Sequence, residues 1–218
     1  MLKLLGFLPR RTNLTRASFR DYYERRHTPL ALQHLRVFRK YVRNHLADVT
    51  VEPGFDTVSE FWYDDAETAG RVGAWLASSE GQVLRRDEAQ FMDRARIGAC
   101  VVDERLLHGP PREFEPGPLR KHACVLATRD GNSERTALSL NAWCDALVQR
   151  HALDLLRATL DLPVSPLPPH LHISGVLWLW PPDSFSAAAV ASIEPPERTT
   201  LTWLAVDGIE TAPEALRD

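Results

Sequence analysis

Cysteine is scarce in this chain of 218 residues, and its three cysteines show no paired spacing. Cys100, Cys124 and Cys144 therefore predict neither a disulfide framework nor a zinc site built on thiolates. Long apolar runs are missing as well, since no segment approaches the roughly 20 residues that a transmembrane helix requires. The apolar segment 1–9 is short, and arginines follow it, whereas in a signal peptide the positive charges precede the apolar region. The segment therefore predicts a strand. We therefore expect a cytoplasmic protein.

Sequence motifs for common cofactors and nucleophiles are missing too. The chain has no phosphate-binding glycine loop, no dinucleotide fingerprint, no His-Glu-x-x-His and no nucleophile elbow. A formal charge of −3 gives no general attraction to nucleic acid or to acidic membranes. Basic residues concentrate before Arg43, but Asp21, Glu24 and apolar positions interleave with them, which favours a solvated face over an anion site. We expect no cofactor, no nucleic-acid partner and no membrane partner.

Two stretches of the chain repeat. The segment 58–65, VSEFWYDD, recurs 118 residues later as 176–183, VLWLWPPD. A helical triplet also recurs with an offset of 124, because Phe19, Tyr23 and His27 correspond to Trp143, Leu147 and His151. Glu60 of the first copy is replaced by Trp178 in the second. The polar chemistry is therefore predicted to reside in the first copy, with the second copy degenerate.

The hydrophobic pattern predicts the order βαββαβ for the first copy. Its strands are predicted at 2–8, 37–46, 57–63 and 97–104, and its helices follow Thr15 and occupy 66–77 and 80–91. In the second copy we predict strands at 121–128, 171–180 and 199–206, helices at 133–160 and 183–192, and a compressed second strand at 167–173.

This order is typical of the ferredoxin-like arrangement, an antiparallel sheet with helices on one face. The predicted fold is α+β: two ferredoxin-like (βαββαβ) units packed as a pseudo-dimeric α+β barrel. We place the first domain at 1–108, a Pro/Gly linker at 109–118 and the degenerate repeat at 119–218. The protein would then be a monomeric pseudo-dimer or a homodimer.

Two histidines are the leading candidates for catalysis, because imidazole exchanges protons near neutral pH. His27 lies on the inward stripe of the first helix, and His45 shares one face of the second strand with Tyr41 and Arg43. A helix packed on that face could bring both imidazoles into one cavity. The alternative is that each histidine forms a hydrogen bond in a packed interior.

Further side chains are candidates for contacting a substrate: Tyr23, Tyr41, Glu60, Trp62, Asp87 and Phe91. Glu60 lies among apolar residues in mid-strand, where a carboxylate needs a partner, and Arg43 on the neighbouring strand is the structural alternative. Asp87 and Asp93 could instead be surface carboxylates beside Arg85, Arg86 and Arg94. The two tyrosines could polarise a carbonyl or simply pack in the core.

Alternating histidines, His170 and His172, could place two metal ligands on one strand face. No convincing third ligand accompanies them, so no metal is predicted. His172 is interpreted as the degenerate counterpart of His45.

The first copy resembles the EthD domain family of the dimeric α+β barrel superfamily. The resemblance depends on the opening strand, then YYERRHTPL at 22–30, YVRNH at 41–45, GFD at 54–56 with EFW at 60–62, SEG at 79–81, and Asp87, Glu88 and FMD at 91–93. It implies a cofactor-free fold with a cavity between sheet and helices. His27 matches the family's helix-end histidine, and His45 matches its strand histidine.

The resemblance also implies a function. Relatives include enzymes that cyclise, dehydrate or decarboxylate polyketide-like aromatics, cofactor-independent oxygenases, and accessory proteins of degradation pathways. We expect a cofactor-free lyase or cyclase that uses histidine acid–base chemistry on a small, hydrophobic, oxygenated aromatic or polyketide-like molecule. The alternatives are a non-catalytic protein that binds a hydrophobic metabolite and a cofactor-independent monooxygenase.

Overall fold

Eight antiparallel strands form a closed barrel in the computed structural model of this chain. The structure describes residues 1–47, 52–129, 134–151, 155–182 and 194–217. The strands are β1 (Leu2–Leu8), β2 (Lys40–Ala47), β3 (Thr57–Tyr63), β4 (Gly98–His108), β5 (Leu119–Thr128), β6 (Arg157–Pro163), β7 (Gly175–Trp180) and β8 (Thr199–Glu210). The predicted α+β class is confirmed.

Helices pack against the outside of the barrel. They are α1 (Arg16–Tyr22), α2 (Thr28–His34), α3 (Ala66–Ala77), α4 (Gln82–Phe91) and α5 (Glu134–His151). Side chains cap two of these helices: Thr15 Oγ1 accepts a hydrogen bond from the Ser18 amide at 3.1 Å, and Asp65 Oδ1 accepts one from the Thr68 amide at 2.7 Å. Within the described ranges, no helix combines the length and the apolar character needed to cross a membrane.

The order of strands around the barrel divides it into two halves. The order is β1-β3-β2-β8-β5-β7-β6-β4, so the first half reads β4-β1-β3-β2 and the second half reads β8-β5-β7-β6. The relative order is therefore the same in both. The halves meet where β2 pairs with β8 and where β4 pairs with β6. Each half completes the sheet of the other within one chain.

Alternation of side chains along the strands creates three buried layers. Leu5, Phe7 and Val58 of the first half meet Trp178 and Val206 of the second half inside the barrel. A second apolar layer separates the first half from α1 to α4, and a third separates the second half from α5. Each strand thus contributes one face to the barrel interior and the other to a helix layer.

The barrel interior also contains charged side chains. Lys3 Nζ lies 2.7 Å from Asp161 and 3.2 Å from Glu60, and it also contacts Glu104. Lys121 lies 3.4 Å from Glu60, and burial lowers the pKa of this lysine to about 8. Buried charges are tolerated only when they are paired, and the acidic and basic groups here neutralise one another. The interior is therefore filled by an ion network as well as by apolar packing.

Part of the second half differs from its predicted structure. Helix α5 ends at His151 and does not continue to 160, because residues 157–163 form β6 between β4 and β7. No glycine or proline marks this boundary, so pairing with two strands overrides a pattern that also suits a helix. Residues 167–173 form a loop, and β7 begins at Gly175. The helix predicted at 183–192 lies outside the described residues.

Candidate functional site

A π-helical turn between α1 and α2 positions His27. It covers Tyr23–His27, and the Thr28 amide donates to the Tyr23 carbonyl five residues earlier. Pro29 accounts for the wider turn, because proline has no N–H to donate and its ring displaces the carbonyl four residues before it, that of Arg25. Single π-turns within helices are common at functional sites. The turn keeps both Tyr23 and His27 buried on the side facing the sheet.

His27 forms a hydrogen-bonded pair with Asp87 of α4. His27 Nδ1 lies 2.7 Å from Asp87 Oδ2, and the Tyr22 hydroxyl donates to Asp87 Oδ1 at 2.8 Å. Burial alone would raise the pKa of Asp87, but hydrogen bonds from His27 and Tyr22 hold that pKa below its usual value. An ionised Asp87 places the imidazole proton on Nδ1 and leaves Nε2 as the basic nitrogen. Within the described part of the chain, Nε2 has no hydrogen-bond partner.

A cavity of about 260 Å³ lies between the outer face of the first half's sheet and the helices, and His27 is part of its wall. Most of the wall is apolar and comes from β1, β3, α2, α3 and α4, with Leu4, Ala31 and Val72 as examples. Among the residues described, the hydrogen-bonding side chains of the wall are those of His27, Tyr41, Tyr63 and Glu88. A predominantly apolar cavity with few polar groups is typical of small-molecule sites.

Tyr41 links the cavity to a buried chain of hydroxyls. Its hydroxyl donates to the Tyr23 hydroxyl at 2.9 Å, and the Tyr23 hydroxyl lies 2.9 Å from Ser59 Oγ. Burial raises the pKa of both phenols, so both remain protonated near neutral pH. Tyr41, a candidate substrate contact, lines the cavity, whereas Tyr23 lies behind it and supports Tyr41. Phe91 also supports the site, with its ring centroid 5.1 Å from that of His27.

Sequence reasoning missed the role of Glu88 as a cavity residue. Glu88 lies on α4 one turn after Leu84, and both side chains line the cavity. Burial raises the pKa of Glu88, an effect that His27 and Arg94 partly offset, and Arg94 Nε donates to its Oε2 at 3.1 Å. The helical spacing from Leu84 to Glu88 was the available signal, because residues four apart share a helix face.

His45 does not lie in the cavity with His27. Its Nδ1 is 2.8 Å from Thr57 Oγ1, its Nε2 is 2.6 Å from Glu24 Oε1, and the residue is only 2 % exposed. Burial lowers the pKa of His45, so the neutral imidazole is favoured despite Glu24. Both ring nitrogens are therefore occupied, and the expectation of two imidazoles in one cavity is not met. The catalytic role predicted for His45 has no support from its position.

Glu60 and Trp62 lie on the opposite face of the sheet, inside the barrel. Glu60 accepts a hydrogen bond from Asn44 at 2.9 Å and contacts Lys3, Lys121 and Arg112. The expected pairing with Arg43 is wrong, because Arg43 faces the helices and binds Glu24 at 2.8 Å.

The alternation along β2 and β3 explains this error. Val42 is opposite Glu60 and Arg43 is opposite Ser59, so Glu60 and Arg43 point to opposite faces. Trp62 shares the face of Glu60, and Lys3 Nζ lies 5.0 Å from the centre of its ring. Neither Glu60 nor Trp62 can therefore contact a molecule in the cavity beside His27.

The paired histidines near the end of the chain do not form a ligand cluster. His170 Nε2 is bonded to the Arg96 carbonyl at 2.9 Å. Across the described ranges, no group of three or more histidine, cysteine, aspartate or glutamate side chains is arranged to hold a metal ion.

The barrel, with its cavity beneath one helix layer, places the chain among α+β barrel proteins. Residues 11–95 match the model of the EthD domain family. This match lies within the first half of the chain and confirms, over that segment, the resemblance found in the sequence. The matched segment contains His27, Tyr41, Asp87 and Glu88.

Several solved structures share the fold over nearly the whole chain. An anthrone oxidase-like protein superposes with a TM-score of 0.57 at 8% identity, covering 96% of this chain and 92% of that one. A protein of Fusobacterium nucleatum, provisionally named a monooxygenase, gives 0.52 at 9% identity with coverages of 95% and 91%. A protein provisionally named a chlorite dismutase gives 0.52 at 10% identity with coverages of 99% and 98%. These identities show a common fold only, and no protein of curated function matches the chain.

Proposed function

We propose that this protein is a cofactor-free enzyme in which His27 moves a proton on a small, oxygenated, aromatic or polyketide-like molecule. The observation that supports this is the partly buried His27–Asp87 pair beside the apolar cavity. Asp87 fixes the tautomer and would stabilise the imidazolium once Nε2 has taken a proton, which is the role of the carboxylate in catalytic triads. Tyr41 would donate to, or orient, an oxygen of the bound molecule.

The chemistry suited to this arrangement is lyase or cyclase chemistry on an acidic C–H. Positioned acid–base catalysis contributes roughly 10² to 10⁴ in rate, which suits a carbon already activated by a neighbouring carbonyl. His27 Nε2 would remove the proton to give an enolate, and the imidazolium would return it to the same or another atom. The wall is mostly apolar, and such a surrounding strengthens each electrostatic contact.

A proton-exchange experiment tests this proposal without knowledge of the natural substrate. The probe is 2-tetralone, an uncharged two-ring ketone with an acidic benzylic C–H, and NMR in D₂O follows replacement of that hydrogen by deuterium. We expect the protein to accelerate exchange and His27→Gln to remove the acceleration. The control is Gly70→Leu, at an exposed position of α3 where the new side chain meets open space. Exchange that persists undiminished in His27→Gln would refute the assignment.

A cofactor-independent monooxygenase is the second candidate. It is favoured by the names of two of the structural relatives, an anthrone oxidase-like protein and a provisionally named monooxygenase. Deprotonation of an electron-rich phenol by His27 would be its first step as well. Dioxygen uptake in the presence of such a phenol, without added metal, separates this candidate from the lyase. Binding without exchange and without uptake would favour the accessory-protein alternative.

We further infer that the two halves of the barrel are ferredoxin-like units of a pseudo-dimer, at 1–108 and 119–218, joined by the linker 109–118. The shared strand order supports this, as does a second correspondence at the offset of 118: Lys3 of β1 matches Lys121 of β5, and both are buried inside the barrel. A monomer in light-scattering measurements would agree with a barrel that one chain completes. A dimer would mean that copies associate through another surface.

A further inference from the structure

The charges around the cavity are unusually one-sided. No lysine or arginine is among the described residues that line it, and Glu88 is its acidic side chain. His27 also lines the cavity, but any positive charge it acquires is already met by Asp87 at 2.7 Å. Arg94 binds Glu88 from outside the cavity wall. A negatively charged ligand would therefore find no unpaired cation.

In neither of its protonation states does Glu88 supply the positive charge that a bound anion would need. When ionised it repels a carboxylate directly, in a surrounding where burial weakens screening. When protonated it donates one hydrogen bond, which does not replace the water that a carboxylate loses on entering an apolar cavity. An uncharged hydroxyl or ketone has a much smaller desolvation cost and can bond to Glu88, His27 or Tyr41.

The size of the cavity limits the ligand further. A protein cavity of roughly 150 Å³ is enough to bind benzene. At about 260 Å³, the present cavity has room for about two aromatic rings. Its sheet side is itself aromatic: Tyr41 stacks on Phe61 with ring centroids 5.0 Å apart, and Phe38 packs against both. Flat apolar ligands suit such a wall.

One residue on α3 lies at the edge of the cavity. Gly73 lines the cavity and is exposed, so it lies at the cavity mouth, and a Cβ placed there meets no atom within 4 Å. Steric crowding therefore does not require a glycine at position 73. A larger side chain could occupy the mouth without displacing the backbone.

We propose that Glu88 is a specificity-determining residue, which makes the cavity selective for uncharged hydroxy- or keto-aromatics of one or two rings and excludes carboxylates of the same shape. This deepens the proposed function by naming a substrate class for the same cavity. It depends on that proposal only for the identity of the site, because selectivity of binding does not require that His27 transfers a proton.

The test compares two probes of one shape, 2-naphthol and 2-naphthoate, at pH 7, where the first is neutral and the second is an anion. Binding is measured by isothermal titration calorimetry. We expect the naphthoate to bind at least about tenfold more weakly to the wild-type protein, as expected for an unpaired charge transferred into an apolar site. Glu88→Gln should narrow this ratio, whereas Glu80→Gln, at an exposed position before α4, should leave it unchanged.

Gly73→Leu identifies the cavity as the place of binding, since it should weaken 2-naphthol, while Gly70→Leu on the same helix should not. The proposal is overturned if the naphthoate binds as tightly as 2-naphthol, if Glu88→Gln leaves the ratio unchanged, or if neither probe binds. Failure of the proposed function has a different signature. Selective binding of 2-naphthol would then persist while His27→Gln leaves deuterium exchange undiminished.

Discussion

At the scale of single residues, the environment of each histidine decides its role. Imidazole is common to His27 and His45, but only His27 has a ring nitrogen without a partner in the described structure and a cavity beside it. His45 is held between Thr57 and Glu24. The sequence could predict that both face the same side of the sheet, because strand and helix periodicity determine that. It could not predict which partners fill the space around each ring, since Glu24 comes from a different element.

Asp87→Asn tests whether the carboxylate positions His27. The amide has the same shape, but it can donate to Nδ1 and so stabilise the wrong tautomer, a change that costs about 10⁴ in a serine protease triad. We expect deuterium exchange from 2-tetralone to fall by at least about 10². Binding of 2-naphthol should be retained, because Asp87 does not line the cavity. A variant that loses binding and exchange together would indicate a collapsed site instead.

Glu24 predicts how stability depends on pH. Burial opposes its ionisation, but hydrogen bonds from His45 and Arg43 lower its pKa to about 2, from an ordinary value of 4.5. The stabilisation by the carboxylate is then complete above pH 4.5 and is lost as the pH falls toward 2, a contribution of about 3 kcal/mol. Urea unfolding between pH 7 and pH 2 should show this loss in the wild-type protein.

The comparison variant is Glu24→Gln, which should be less stable than the wild type at pH 7 and should lose less stability on acidification. His45 contributes to the same slope, because its lowered pKa makes the unfolded state the better proton acceptor below about pH 6.5. Parallel pH curves for the two proteins would contradict the role given to Glu24.

At the scale of elements, the first half was largely predictable, whereas the second was predictable only in part, through the strands at 121–128 and 199–206. Strands at 2–8 and 57–63 and the helix at 66–77 agree with β1, β3 and α3 residue for residue, because turn residues and caps mark their ends. The π-turn was not predicted, although Pro29, which accounts for it, is visible in the sequence. In the second half, the predicted helix passed through β6, because 151–160 contains no residue that ends a helix.

Pro29→Ala tests whether the π-turn positions His27. Alanine restores the missing amide donor and removes the clash with the preceding turn, so a regular α-helix becomes possible through 16–34. We expect the melting temperature not to fall, because Pro29 is exposed and alanine favours helix. Deuterium exchange should nevertheless decrease, since removal of the π-turn rotates His27 away from the cavity. Full exchange activity in this variant would show that the turn is dispensable.

At the scale of the whole molecule, the repeat made the barrel predictable, but not the ion network inside it. Lys3 contacts Glu104 and Asp161, which are 101 and 158 residues away along the chain. Glu104 belongs to the first half like Lys3, but Asp161 lies on β6 of the second half, so this partner is determined only when the two halves close on each other. For Glu60, the register of β3 against β2 decides that the side chain faces the barrel, and its partners Lys121 and Arg112 come from beyond the first half.

Lys3→Met measures the cost of breaking this network. It removes the cation that lies between Glu60 and Asp161 and leaves their charges buried without it, a change that typically costs about 3 to 5 kcal/mol. Urea unfolding should report a loss in that range. Arg71→Ala, which breaks an exposed pair with Glu67, should have little effect on the same measurement. Equal losses from both substitutions would argue against a structural network in the barrel.

The covalent joining of the two halves has a consequence for how their residues can change. In a barrel made of two identical chains, every substitution occurs in both subunits. Replacing a glutamate by an aromatic residue would therefore remove that glutamate from both halves of the barrel. Here Lys121 lies 3.4 Å from Glu60 and, at 4.8 Å, over the ring of Trp178, which stands at the corresponding position of the other half. Lys121 thus contacts the carboxylate of Glu60 and the indole ring of Trp178 at the same time. In a single chain, each half can change independently of the other.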